Sequence, residues 1–103
     1  MPTIEITCKD PLIEKHCRET VGPRYQRLYD AEKSPAGRLG VLYRLRRELR
    51  VLAEDNEWYD YVEEGEPTDS GRTGVSAIRK RTLLRNVHGR PKLLIPHVRV
   101  MDQ

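Results

Sequence analysis

Leu42, Leu45, Leu49 and Leu52 recur at steps of three, four and three residues. That spacing sets all four on one face of an amphipathic helix. No other stretch carries so long an apolar period. Ser34 and Pro35 are an N-cap residue and a first-turn proline. The sequence therefore predicts a main helix from Ser34 to about Val62. Gly37 and Gly40 each weaken its first turns by about 1 kcal/mol relative to alanine, so the helix is expected to firm up near Val41. The leucine face suits either the chain's own core or an antiparallel pairing with a second copy.

The charge order along this helix runs against its dipole. Arg38, Arg44, Arg46, Arg47 and Arg50 occupy the N-terminal half, and Glu54, Asp55, Glu57 and Asp60 the C-terminal half. A helix dipole prefers the reverse. The Arg50–Glu54 pair at i,i+4 also stands in its less favourable order. An antiparallel homodimer through Leu42, Leu45, Leu49 and Leu52 would bring the basic half of one helix to the acidic half of the other. Val51, Trp58 and Val62 project away from the leucine face. The helix is therefore buried on two sides, or it ends or bends near Asn56.

The same polarity extends along the whole chain. Residues 1–52 carry a formal charge of +4, residues 53–70 carry −8 and residues 71–103 carry +7, inside a net charge of only +3. The 103 residues fit a single domain, 1–103. Ahead of the main helix, Thr3 to Cys8 alternates polar and apolar side chains and predicts a strand with Ile4, Ile6 and Cys8 inward. Asp10 and Pro11 open a short helix to about Thr20, and a second short helix is expected over Arg24 to Glu32. Glu63 to Gly71 reads as a loop. Strands are expected over Thr73 to Ile78, Arg79 to Val87 and Lys92 to Val100. The last two form a hairpin turning at His88–Gly89, with Val87 opposite Arg90. Pro91 and Pro96 put its second strand at a sheet edge or a bulge. The fold class is α+β: an N-terminal strand, two or three helices with one long central helix, and a C-terminal antiparallel hairpin or small three-stranded sheet.

Two surfaces carry functional chemistry. The hairpin gathers Arg79, Lys80, Arg81, Arg85, Arg90, Lys92 and Arg99, a pattern that can track a phosphate backbone. It has no aromatic side chain for base stacking, which favours backbone contact over reading of single-stranded sequence. This points to a non-enzymatic nucleic-acid-binding accessory or regulatory protein. The second surface, Glu54, Glu57, Trp58, Tyr59, Asp60 and Tyr61, is acidic and aromatic. It would suit a protein-interaction module that docks a basic partner.

The order of a strand, helices and antiparallel strands on a basic scaffold is similar in outline to the RelE/ParE-type toxins, in element order and charge alone. That likeness implies RNA cleavage, with His97 moving a proton and a nearby Lys80 or arginine stabilising charge on phosphorus. Nucleotide-binding glycine loops, zinc-protease and serine-hydrolase motifs are absent, and no cofactor is expected. Cys8, His16 and Cys17 lack a fourth ligand at metal-site spacing, so both cysteines are expected as reduced thiols. An early acid and the lack of a long apolar run predict a cytoplasmic chain with no membrane segment.

Overall fold

The computed structural model describes residues 1–64 and 80–102. In chain order the elements are β1 (Thr3–Thr7), α1 (Pro11–Thr20), α2 (Gly22–Ala31), α3 (Pro35–Asp55), β2 (Tyr61–Glu64), β3 (Lys80–Leu83) and β4 (His97–Met101). This is an α+β chain with an N-terminal strand, a long central helix and small antiparallel C-terminal sheets. It has two compact units: Met1–Trp58 with Leu94–Gln103, and Tyr59–Leu93. The strand expected over 73–78, and the part of the acidic loop past residue 64, lie outside the described residues.

The first unit is built on burial. β1 pairs antiparallel with β4, from Thr3 opposite Met101 to Thr7 opposite His97. The pleat turns Ile4, Ile6, Val98 and Val100 toward the helices, where they join Cys17, Val21, Tyr25, Tyr29, Val41, Leu42, Leu45 and Leu49. Leu45 and Leu49 have no exposed surface. The leucine period is therefore the central rib of the chain's own core.

Both outer edges of this two-stranded sheet are closed by side chains, a common protection for unpaired strands. On β1, the Ile4 N–H donates to Gln26 Oε1 at 2.7 Å, and Arg18 Nε donates to the Ile6 carbonyl at 2.7 Å. On β4, Arg46 Nη2 donates to the Val98 carbonyl at 3.4 Å. Burial pushes the Cys17 thiol up from its ordinary 9.0 to about 11, and burial also raises that of Cys8. Burial, and then a hydrogen bond from its hydroxyl to Glu48 at 2.7 Å, raises Tyr25.

The helix starts follow their caps. Asp10 Oδ1 accepts from the Leu12 N–H at 2.9 Å, and Ser34 Oγ accepts from the Gly37 N–H at 3.0 Å. α3 is helical from Pro35 onward despite its two glycines. A Cβ at Gly37 would overlap the Glu32 carboxylate, the far end of a flexible side chain that can move aside. α2 begins at Gly22, two residues before the expected start, because Val21 stays in the right-handed region and links it to α1.

α3 stops at Asp55, not near Val62. Glu57 turns left-handed at φ 54°. Its N–H donates to the Glu54 carbonyl at 3.2 Å, and the Trp58 N–H reaches back to the Ala53 carbonyl at 2.9 Å. These two bonds define a Schellman stop, with glutamate where glycine is usual. Trp58 then packs, half-buried, against the core, with its ring edge-on to His16 at 6.3 Å.

The second unit is built on backbone pairing. β2 and β3 run antiparallel, with Tyr61 opposite Leu83, Val62 opposite Thr82, Glu63 opposite Arg81 and Glu64 opposite Lys80. The acidic segment expected to start a loop at Glu63 is thus a strand as far as Glu64, and its partner is a basic strand. Asp60 ties the unit together. Its N–H donates to the Lys92 carbonyl at 2.9 Å, and its carbonyl accepts from the Leu84 N–H at 2.8 Å. The long hairpin expected between Arg79–Val87 and Lys92–Val100 does not form as one ladder: β3 pairs with β2, and β4 with β1. Only its tip remains a hairpin.

Candidate nucleic-acid interface

The tip spans Leu84 to Lys92. The Lys92 N–H donates to the Leu84 carbonyl at 2.8 Å, Arg85 pairs with Pro91, and the Asn86 N–H donates to the Arg90 carbonyl at 2.9 Å. The connection is a three-residue loop, Val87–His88–Gly89, instead of the expected two. Gly89 sits left-handed at φ 78°, and its N–H donates to the Asn86 carbonyl at 2.9 Å. This is the turn-plus-bulge form of a three-residue hairpin. Asn86 selects it, because its side-chain Oδ1 accepts from both the His88 and Arg90 N–H groups, at 2.9 and 3.1 Å. The longer loop shifts the register by one residue, so Arg90 faces Asn86 and not Val87.

This turn fixes where the charge lies. Arg85 Nη1 donates to the Gly89 carbonyl at 2.7 Å, which holds its guanidinium at the tip. The Arg90 and Lys92 side chains are exposed and make no hydrogen bond or ion pair among the described residues. Arg81 is exposed and stands over the Tyr61 ring at 4.9 Å. From Lys80 to Lys92 there are five Lys or Arg and no Asp or Glu. Val87, at the apex, is almost wholly in solvent.

The remaining expected residues separate. Arg79 lies outside the described residues. Lys80 pairs through its backbone with Glu64 on β2. Arg99 belongs to β4 in the first unit, where its Nε and Nη2 hold Glu5 Oε1 at 2.7 and 2.6 Å. His97 is exposed opposite Thr7 on that sheet, so the expected ladder between His97 and Lys80 is not formed. The acidic aromatic surface is likewise dispersed. Trp58 and Tyr59 are half-buried, Asp60 is buried, and Glu54, Glu57 and Tyr61 are exposed. Leu42, Leu45 and Leu49, considered for a dimer interface, are buried in the first unit's own core, with Leu52 partly buried against it.

Sequence reasoning did not single out one further surface. Opposite the leucine rib, α3 exposes Tyr43, Arg46, Arg47, Arg50, Val51 and Glu54 around a shallow open groove of about 460 Å³. The spacing i, i+3, i+4, i+7 from Tyr43 to Arg50 was the available signal.

Among the described residues, no helix is long and apolar enough to cross a membrane, and no three His, Cys, Asp or Glu side chains gather where a metal ion could be held. No protein-family model, curated protein or solved structure matches the chain.

Proposed function

We propose that this chain is a small nucleic-acid-binding accessory protein that contacts the phosphate backbone through the hairpin tip of its second unit. The observation that carries the reading is the acid-free stretch from Lys80 to Lys92, in which Arg81, Arg85, Arg90 and Lys92 are all exposed. Arg90 and Lys92, which make no ion pair among the described residues, can attract phosphates and release the counterions condensed on them. The tip has no Tyr, Trp or Phe, so it contributes affinity and position but little sequence preference. Pairing of two copies through the leucine rib is not part of the proposal, because Leu45 and Leu49 have no surface left to offer.

The test is fluorescence anisotropy with a labelled mixed-sequence duplex and with an RNA of equal length. Binding is expected at about 50 mM salt and should fall steeply by about 200 mM. Arg90→Glu with Lys92→Glu should abolish it without altering the far-ultraviolet circular dichroism. An absence of binding to both probes at the lower salt would refute the proposal.

A further inference from the structure

Four arginines of the first unit make well-placed contacts with partners in the same chain. Arg24 is paired with Glu48, Arg18 with Glu14 and Arg99 with Glu5, while Arg38 donates to the Glu32 carbonyl and lies over the Tyr29 ring. Other arginines of the unit, Arg27 and Arg44 as well as those on the outer face of α3, do not follow this pattern. Arg47 and Arg50 are exposed and have no hydrogen bond or ion pair among the described residues. Arg46 gives one N–H to the sheet edge and makes no ion pair among the described residues.

The tyrosines show the same contrast. Tyr25, Tyr29 and Tyr61 each have a guanidinium over the ring, at 5.3, 5.4 and 4.9 Å. Among the described residues Tyr43 has none, and it is 68 % exposed. Its ring stands one and two helical turns from the three arginines, on the side away from the core. Helix pitch is about 5.4 Å, so the ring and the guanidinium groups share one groove.

From this placement we infer a second binding surface, on α3, for single-stranded nucleic acid. A base stacks on Tyr43, and the adjoining phosphates lie against Arg46, Arg47 and Arg50. Stacking on an exposed aromatic beside a cationic track is the usual recipe for single-strand binding without sequence preference. Val51 widens the apolar floor. Glu54 closes the far end of the groove, because its carboxylate repels a phosphate. A duplex offers no unstacked base to Tyr43, so this surface discriminates where the hairpin does not. The inference shares its ligand class with the hairpin reading, but it rests on other residues in the other unit, and either can fail alone.

The experiment compares a labelled oligo(dT) or oligo(U) single strand with a duplex of equal length, by anisotropy, on four variants. Tyr43→Ala is expected to weaken single-strand binding by about tenfold or more and to leave duplex binding unchanged. Tyr43→Phe keeps the ring and should bind like the wild type. Arg47→Gln with Arg50→Gln should weaken the single strand and flatten its salt dependence. Arg90→Glu with Lys92→Glu should remove the duplex. All of these side chains are exposed, and thermal unfolding by circular dichroism checks that each variant folds. If Tyr43→Ala binds the single strand like the wild type, the α3 surface is refuted, whatever the hairpin variant does. A wild type that binds duplex but no single strand also refutes it. If Tyr43→Ala instead lowers the solution mass without changing single-strand binding, the face is a contact between copies and the inference is overturned. If the hairpin reversals leave duplex binding intact while Tyr43→Ala abolishes single-strand binding, the α3 surface stands and the hairpin reading falls.

Discussion

The arginines that border the first unit's core and those of the second unit's hairpin differ in what they contact. In the first, Arg24 and Arg99 are paired with carboxylates, Arg18 lies 3.9 Å from Glu14 while donating to the Ile6 carbonyl, and Arg47 and Arg50 on α3 have no hydrogen bond or ion pair among the described residues. In the second, Arg85 donates to a carbonyl, which cancels no charge, and Arg81 stands over an aromatic ring with Glu63 opposite it on the ladder. The units also differ in what holds them. Ile6, Cys17, Leu45 and Leu49 are essentially without exposed surface in the first. The described apolar side chains of the second, Tyr59, Leu83, Leu84 and Leu93 among them, are at best half-buried, and backbone pairing through Asp60 holds the strands in register. The lesson is that counting arginines does not locate a binding surface. Locating one requires knowing which arginines lack a carboxylate in their own chain.

The largest test of this contrast is Leu49→Ala. A fully enclosed leucine costs about 2–5 kcal/mol when truncated, whereas Leu84→Ala, at a half-buried site, should cost well under half of that. Urea unfolding monitored at Trp58 measures both, and equal losses would erase the difference between the units.

The alkaline limb comes next. Cys17 is held neutral up to about 11 in the folded chain but ionises from its ordinary 9.0 when unfolded. The folded state therefore keeps the proton longer. This stability is fully present below the unfolded value and is lost as pH rises through the folded one, at up to about 1.4 kcal/mol per pH unit for one proton. Tyr25 is shifted in the same direction and adds to the loss at higher pH. Cys17→Ala should flatten the fall in urea midpoint between pH 9 and 11. An unchanged slope would place its cause elsewhere.

A smaller effect has the opposite sign. Glu57→Gly removes the left-handed penalty at φ 54° and should raise stability by about 1 kcal/mol. A lower melting temperature would contradict the Schellman stop. The smallest expected effect is that of Arg99→Gln, an exposed cross-strand pair worth under about 1 kcal/mol.

Much of the first unit was legible in the sequence, because its signals are local. Asp10–Pro11 and Ser34–Pro35 mark helix starts, the alternation over Thr3 to Cys8 marks β1, and the leucine period marks the rib. The end of α3 was legible only as an alternative, an end or bend near Asn56 suggested by Val51, Trp58 and Val62, since the usual marker is a glycine and here Glu57 takes the left-handed turn. Strand partners were hidden for a different reason. β1 finds β4 across nearly the whole chain, and the acidic β2 finds the basic β3 through pairing that overrides the weak strand preference of glutamate. The opposed charges of residues 53–70 and 71–103 were the one hint that these segments meet. The candidate hairpin was legible as a composition, but Arg99 was not separable from it until Glu5 was seen to hold it. On α3 the arginines were read as a dipole anomaly, and Tyr43 was passed over because its exposure depends on which face the core takes.

The salt dependence of duplex binding tests the central claim most directly, through wild type, Arg99→Gln and Arg90→Gln with Lys92→Gln. Each phosphate neutralised contributes about 0.9 to the slope of log affinity against log salt. The double variant should lose about 2 from that slope, while Arg99→Gln, already bound to Glu5 in the wild type, should retain the wild-type value. A slope lowered as much by Arg99→Gln as by the double variant would contradict the distinction between paired and unpaired arginines.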